Sequence, residues 1–567
     1  MKKKGYFVKK IFLSFLFLNI LSRFGYFVNT IIDTVSGGNI LGEEALGIVS
    51  IISPLFYFIS FFASLVGPGC ATLFAIFVGK FEKEKANKYA GFSLVSSILI
   101  GIFCALVLLV IKKPFLHFYK IPSDMYEGAS DYYNWYIALS LIIPAYFAIY
   151  YLTLSDGDAL FTMLGSVGEI IVNAVLSVIL CKSMGINGLG LSTFISYVIA
   201  MLLNCLRFFS KKNSIKFIPC LRFSMFKKSI KFSLYSALNN IFIVVVHLII
   251  NKIIIDACGD YYLPVYAVIS FVLSTFLMFG AVGDSAKPLC STYYGEQNYN
   301  GVNNTVKLSY KTVLIMGLTM MALFLVSASF IPMLFGIENI DLIYLSKRAI
   351  IIVSLSAIPF GMCYFCYQIY SSINRPNLSL FATFLFNFSC PLIFSIPFAY
   401  AFGIDGISIG TSISAFASII LFYLFLLVRY KKKGFPLYLQ KTNENSFEYD
   451  FILSKETIVE IRDKIVEKLK NEHYETKTIE HFFEELLIKI YEKNNRKQIS
   501  CECSIFIGPT SARVIVRDNG VIFNLTNKDN SSNSINTIVL NNLLDNVKEK
   551  DYLVTSSINR NGFVFRK

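Results

Sequence analysis

The sequence predicts an all-α polytopic membrane protein of about twelve transmembrane helices in two six-helix repeats, with a cytoplasmic α+β domain after them. Three observations predict it. Of 567 residues 55% are hydrophobic and only 16% charged, with a mean hydropathy of +0.59, too apolar for a soluble core of this size. The apolar part is written twice: GINGLGLST (Gly185 to Thr193) returns as GIDGISIGT (Gly403 to Thr411), and Gly67 and Gly79 return as Gly283 and Gly295. After Lys441 the composition turns polar, which marks a second domain.

Runs of roughly 20 residues with few charges, long enough to cross the ~30 Å hydrocarbon core, centre near residues 22, 60, 101, 142, 171, 199, 244, 277, 320, 357, 389 and 418. They are too long and too evenly apolar for barrel strands, so they read as helices. Six fall in residues 1–215 and six in 216–435. Duplication of this kind suits a transporter, because one half can rock against the other around a site between them. The first run continues into a full span without a small-residue cleavage pattern, so no cleavable signal is expected.

The net charge of +15 would suggest nucleic acid in a soluble protein, but here it is sorted by loop. Lys2, Lys3, Lys4, Lys9 and Lys10 open the chain. Arg207, Lys211, Lys212, Lys216, Arg222, Lys227, Lys228 and Lys231 link the halves, and Arg429, Lys431, Lys432 and Lys433 close the last span. The intervening loops are acidic or neutral, with Glu43, Glu44, Asp260, Glu338, Asp341 and Asp405, and only the Lys112–Asp131 loop is mixed. The positive-inside rule then places both termini in the cytoplasm of a bacterial-type inner membrane, with no nucleic-acid partner. Asp156 and Asp158, in the short loop after the fourth span, are expected to be solvated. The twelve Cys have no disulfide or metal spacing.

Ionisable and polar side chains at membrane depth are costly unless they face the bundle interior, so each is a functional candidate. Asn29 and Asp33 are four residues apart on one helix face. Asp33 could instead cap a helix end, since Gly37 and Gly38 follow. Glu169, Asn173 and Ser177 form a stripe at intervals of four. Two carboxylates close together suit a proton and hard oxygen ligands suit Na⁺, and the residues do not choose between them. In the second half Ser236, Asn240, His247 and Asn251 run at helical spacing. His247 could titrate near neutrality or simply pack. Asn387 is the repeat partner of Asn173, but Pro391 stands where Ser177 would. Pro68 and Pro288, near the Gly-rich middles of spans two and eight, are candidate hinges or plain kinks.

Residues 447–567 mix strand-like alternation (SCECSIFIG, SARVIVRD) with helical spacing (ETIVEIRDKIVEKLKNE, IEHFFEELLIKIYEKN).

On FVNTIIDTVSGGNILGEEALG, FVGKFEKEKA, EIIVN with GINGLGLST, VGDSAKPLCSTYYGEQN and GIDGISIGTS, residues 1 to about 435 resemble the multidrug and toxic compound extrusion (MATE) transporters. The resemblance implies a secondary antiporter that exports organic, cationic, xenobiotic compounds in exchange for H⁺ or Na⁺, with no other cofactor. It places Asp33 on the family's coupling acid, Asn173 on its cation-site asparagine and Thr193 on a further site position. Ser177 stands where relatives often carry Asp, and Glu169 could supply the displaced acid.

The tail resembles the ATPase fold of sensor histidine kinases and anti-sigma-factor kinases, with HFFEELLIKI and VRDNGVIFN in the places of its nucleotide boxes. Asp518 would bind the adenine amino group and Gly520 would allow the turn beneath. The box is degenerate: Lys489 replaces the metal-binding Asn, although Glu485 remains, and SINTIVLNNLLD lacks the phosphate-cradling glycines. ATP hydrolysis is therefore not expected, and a docking or ligand-sensing role, with a cytoplasmic protein as a possible partner, is. The rival readings are a lipid or lipid-linked oligosaccharide flippase and a membrane sensor that signals through its tail.

Overall fold

The computed structural model describes residues 5–41, 48–49, 52, 54–118, 123–210, 213–257, 259–334, 337, 339–430, 446–470, 476–495, 499–508, 511–521, 547–554 and 558–566; at 25–41 and at scattered positions including Asn251 the description covers the backbone alone. The first half consists of α1 (Tyr6–Leu41), α2 (Pro54–Ser64), α3 (Gly67–Gly79), α4 (Lys83–Phe118), α5 (Ser123–Ser155), α6 (Ala159–Met184) and α7 (Ile186–Cys205). The second consists of α8 (Phe223–Ala257), α9 (Leu263–Phe276), α10 (Gly280–Gly295), α11 (Tyr299–Ser327), α12 (Ile340–Ser354), α13 (Ala357–Ser372), α14 (Pro376–Phe384) and α15 (Cys390–Tyr430).

The helix starts follow from the sequence. Pro68, Pro264 and Pro376 occupy first turns, where no backbone N–H is needed. Asn298 and Asn339 cap α11 and α12 by accepting from the N–H groups of Gly301 and Asp341. Between α14 and α15 the chain takes a π-turn over Leu385–Ser389. Pro391 has no N–H to continue the α-helical ladder, which accounts for the widened turn in front of it.

Among the described residues nine helical stretches are long and apolar enough to cross a membrane, or ten if the pair α12 and α13, bent by 50°, is one span. That is fewer than the twelve expected. The difference lies in α1 and in the 55-residue stretch Pro376–Tyr430, which contains a break at Gly403. Gly403 has φ 60° and ψ −138°, the same values as Gly185 between α6 and α7, in a region that side chains rarely enter. The duplication read from the sequence is thus repeated in the backbone.

The halves form two lobes joined where α3 meets α10. A Cβ at Gly79 would lie 2.2 Å from the Thr292 carbonyl oxygen and 2.9 Å from Gly295 Cα; one at Gly295 would lie 2.3 Å from the Ile76 carbonyl oxygen. The repeated glycines are therefore a point at which the two backbones touch.

The tail is an antiparallel sheet in the order β1-β2-β3-β5-β4 (β1 Ser446–Ile452, β2 Ser500–Ile507, β3 Ser511–Asp518, β4 Glu549–Val554, β5 Asn559–Arg566), with α16 (Lys455–Lys470) and α17 (Thr476–Lys493) against it. Alternation along the strands sends Cys501, Cys503, Val514, Val516, Phe563 and Phe565 toward the helices, where they meet Ile461, Ile465, Phe482 and Leu486. The other face carries Glu502, Ser504, Arg517 and Arg560, and it too is buried, against the ends of α3 and α10.

Gly79→Ala is expected to cost about 1–3 kcal/mol through overpacking of this contact. The thermal midpoint of the detergent-purified chain reads the effect, and an unchanged midpoint would mean that the lobes do not touch there.

Candidate functional site

A cavity of about 530 Å³ opens between the lobes, lined from both halves. Its walls are aromatic, with Phe56, Tyr146, Tyr150 and Tyr197 from the first half and Tyr364 and Phe386 from the second. Among its described lining residues are two basic side chains, Arg23 and Lys287, and two acidic ones, Glu169 and Asp284.

Asp284 is committed to Arg23, whose Nε and Nη2 donate to its Oδ2 at 3.0 and 2.6 Å, pinning α1 to α10. Lys287, one turn beyond Asp284 and only 5% exposed, donates from Nζ to the Tyr235 hydroxyl at 3.2 Å and sits 5.7 and 5.8 Å from the ring centres of Tyr235 and Tyr151. Neither Asp284 nor Lys287 was singled out by the sequence reading, although VGDSAKPLCS puts two charges three residues apart inside an apolar span. That spacing was the available signal.

The polar stripe of α6 is buried throughout, with Glu169 6% exposed and Asn173 and Ser177 fully enclosed. Ser177 donates to Asn173 Oδ1 at 3.3 Å and shares a 2.9 Å hydrogen bond with Ser192 of α7. Ser192 is thus an α7 hydroxyl that meets the stripe; the neighbouring Thr193 donates to the Leu189 carbonyl of its own helix. Of the stripe only Glu169 is among the described lining of the cavity, so Asn173, Ser177 and Ser192 make an inner polar cluster behind it. Ser22 of α1 donates to Ser166 at 2.8 Å, bringing α1 alongside. Asn29, Asp33 and Asn251 lie on α1 and α8, and their side chains are outside the described residues.

His247 and Asn387 both line the cavity. His247 Nδ1 is 3.1 Å from the Ile243 carbonyl oxygen, a bond to its own helix. Asn387 sits in the π-turn and donates to Asn239 Oδ1 of α8 at 2.7 Å. Pro68 lies just past the break at Leu65–Val66 that separates α2 from α3. Pro288 is inside α10, whereas the interruption in the second half is the 3-10 turn Leu277–Phe279 before that helix, so the two prolines are not equivalent as hinges.

The expectation that Asp156 and Asp158 are solvated is corrected. Both are buried with Arg207, at 2.7 Å and 2.9 Å, and Ser214 donates to Asp156. A charge and its partner far along the chain each read as ordinary loop residues, which is why composition misled.

At the ends of α3 and α10 the tail sheet docks on both lobes. Glu296, 1% exposed, accepts from Arg517 and, at 2.7 Å, from Arg560 Nε. Arg517 also donates to Glu502 at 2.5 Å, and Tyr293 donates to Glu502 at 2.9 Å. Glu502, Arg517 and Arg560 are register partners on three adjacent strands, so the ladder itself lines up the charges. Phe81, just past α3, lies under the guanidinium groups of Arg513 and Arg560 at 4.8 and 4.5 Å, while Lys83 pairs with Asp551 at 3.5 Å. Gly5, next to α1, donates to Asp450 at 2.5 Å.

Of the residues expected to form a degenerate nucleotide box, Asp518 and Gly520 meet at the end of β3. Asp518 ends β3 and its Oδ1 accepts from Asn559 Nδ2 and Gly520 N–H, both at 2.9 Å; Asn494 Oδ1 accepts from Val521 N–H at 2.7 Å. Glu485 and Lys489 lie earlier on α17, and SINTIVLNNLLD is outside the described residues. Burial pushes the Asp518 carboxyl up to about 6 despite those two donors.

A helical membrane fold of two repeat-related lobes around a charged, aromatic cavity defines the class of polytopic carrier proteins. The chain belongs to the MatE family, whose profile matches residues 19–179 and 236–401. It is similar to the multidrug export protein MepA of Staphylococcus haemolyticus (strain JCSC1435), 23% identical over 173 residues, or 30% of this chain and 38% of that protein. A MepA of Staphylococcus saprophyticus is 22% identical over 178 residues, or 31% and 40%. The matches thus span about two fifths of the length of these relatives.

The fold is that of a MATE multidrug resistance transporter solved in an outward-facing conformation (TM-score 0.70, 20% identity, 76% of this chain and 99% of that one). It is also that of a MOP superfamily transporter of Pyrococcus furiosus Vc1 (DSM3638), for which a reversed polarity of the binding pocket suggests a different function (TM-score 0.69, 20% identity, 76% and 100%).

Because its folded pKa is raised, Asp518 contributes stability that is full below the usual carboxylate pKa near ~4 and is lost as pH rises through about 6. Asp518→Asn is expected to reduce the fall in thermal midpoint between pH 4.5 and 7 and to raise the midpoint at pH 7. A lower midpoint at both pH values would contradict this.

Proposed function

We propose that the protein is a secondary antiporter that exports organic compounds in exchange for H⁺ or Na⁺ by alternating access of the cavity between the lobes. The observation that carries this reading is a cavity walled from both repeats, next to the contact of α3 with α10, which must part for the cavity to change sides. Counting α1 and dividing Pro376–Tyr430 at Gly403 yields twelve passes, with both termini cytoplasmic. Coupling falls to Asp33 and Glu169, with Asn29, Asn173, Ser177, Ser192 and Thr193 as neighbours on α1, α6 and α7. The closed packing of Asn173, Ser177 and Ser192 supports a site distinct from the substrate cavity, so that an ion and a compound can bias different states of one lobe.

The aromatic walls suit flat lipophilic bodies. A flippase would be expected to place several Arg or Lys in its cavity to meet phosphate; among the described lining residues Arg23 is paired with Asp284 and Lys287 remains, so it is the weaker reading. For the tail we propose a brace rather than an ATPase. Its sheet holds Phe81 and Lys83 of one lobe and Tyr293 and Glu296 of the other, so its partner is the membrane domain of the same chain, and lobe separation at this end requires the sheet to let go of one side.

Proteoliposomes with imposed H⁺ or Na⁺ gradients test the antiporter. Gradient-driven flux of ethidium is expected to fall at least tenfold in Asp33→Asn and in Glu169→Gln, and normal flux in both variants at every gradient would sink the coupling assignment. The brace has its own test. Glu296→Gln weakens the partner of two buried guanidinium groups, so hydrogen exchange in β5 is expected to rise about tenfold or more and the transport rate to change without a change in which compounds move. Unaltered exchange would remove the brace.

A further inference from the structure

Two basic and two acidic side chains in a membrane cavity invite the question of which are already satisfied. Arg23 and Asp284 satisfy each other through two hydrogen bonds. Glu169 stands on α6 in the first lobe, against the aromatic wall of Tyr146, Tyr150 and Tyr197. Lys287 stands on α10 in the second lobe. Its ammonium has three N–H donors; one goes to Tyr235, and among the described residues no carboxylate lies within ion-pair distance.

Apart from the Asp284 carboxylate one turn away, which Arg23 already engages, the ammonium is held among the described residues by a phenol and two ring faces, while burial takes away its water. A compact anion in the cavity would restore what is missing. It would gain a charge-assisted hydrogen bond worth far more there than in water. An aromatic body attached to that anion would rest on the tyrosine and phenylalanine walls a few ångströms away. A plain lipophilic cation would gain from the walls and from Glu169 but would be repelled by Lys287.

Resting on the antiporter reading, we propose that the cavity takes aromatic organic anions, zwitterions included, with the carboxylate or sulfonate of the substrate seated on the ammonium of Lys287. Lys287 is then a specificity-determining residue, and Tyr235 positions it. Arg23, closed by Asp284, is not the anion site.

The test uses the full chain with naphthalene-2-sulfonate as the anionic probe and ethidium as the cationic one. Equilibrium binding is measured on detergent-purified protein and gradient-driven flux in proteoliposomes, for the native chain, Lys287→Met and Lys287→Arg. The native chain is expected to bind and move naphthalene-2-sulfonate. In Lys287→Met its affinity, and the ratio of its flux to that of ethidium, should fall at least tenfold, whereas Lys287→Arg, which keeps the charge, should restore most of both.

Equal losses for the two probes in Lys287→Met, or ethidium flux without Lys287-dependent binding of the sulfonate, would overturn the proposal while leaving the antiporter standing. Lys287-dependent sulfonate binding with no flux of either probe would support the anion site and count against the antiporter. Should the folded native chain bind no sulfonate and move neither probe, both readings fall.

Discussion

The backbone contact between α3 and α10 is the constraint on which the rest of the molecule depends. Two glycines, one from each repeat, let the helices approach until carbonyl oxygens of one lie beside the α-carbons of the other. The same helix α10 that makes this contact carries Asp284 and Lys287 of the cavity lining. The contact also sets Phe81 and Glu296, which follow the two helices, side by side, and so creates the platform on which the tail sits. A side chain at either glycine would widen the gap and misplace both.

The tail illustrates how a strand ladder can organise charge. Pairing in register places Glu502, Arg517 and Arg560 in one row, and the row matches the single carboxylate of Glu296. A buried ion network of this kind adds little to stability compared with well-packed apolar residues, but it is demanding about geometry, so it favours one docking pose over others. The apolar face of the same sheet, packed on α16 and α17, supplies the fold of the domain; the charged face supplies its address.

The span pattern, the repeat and the α+β character of the tail were legible because they rest on local periodicity. So was the polar stripe of α6, since residues four apart on a helix share a face whatever surrounds them. What was not legible were pairings across the chain. Glu502, Arg517 and Arg560 read as the wet side of a sheet because alternation reports only that a face is polar, and their partners Tyr293 and Glu296 are more than 200 residues away. Asp156 and Arg207 read as loop charges for the same reason. Asp284 and Lys287 were visible as charges inside a span, yet their division into one paired and one open group depends on Arg23, from the other repeat.

The knot of Arg207 with Asp156 and Asp158 bears on how the first half can move. It ties the end of α7 to the turn between α5 and α6 with no water-exposed side chain, so these three helices share one anchor at their common end. Helices fastened in this way turn as a block and do not splay. If the lobes rock as proposed, the first would act as a lever with a stiff base, and its bending would fall to the interruption between α2 and α3 at Leu65–Val66, next to Ser64 of the cavity lining.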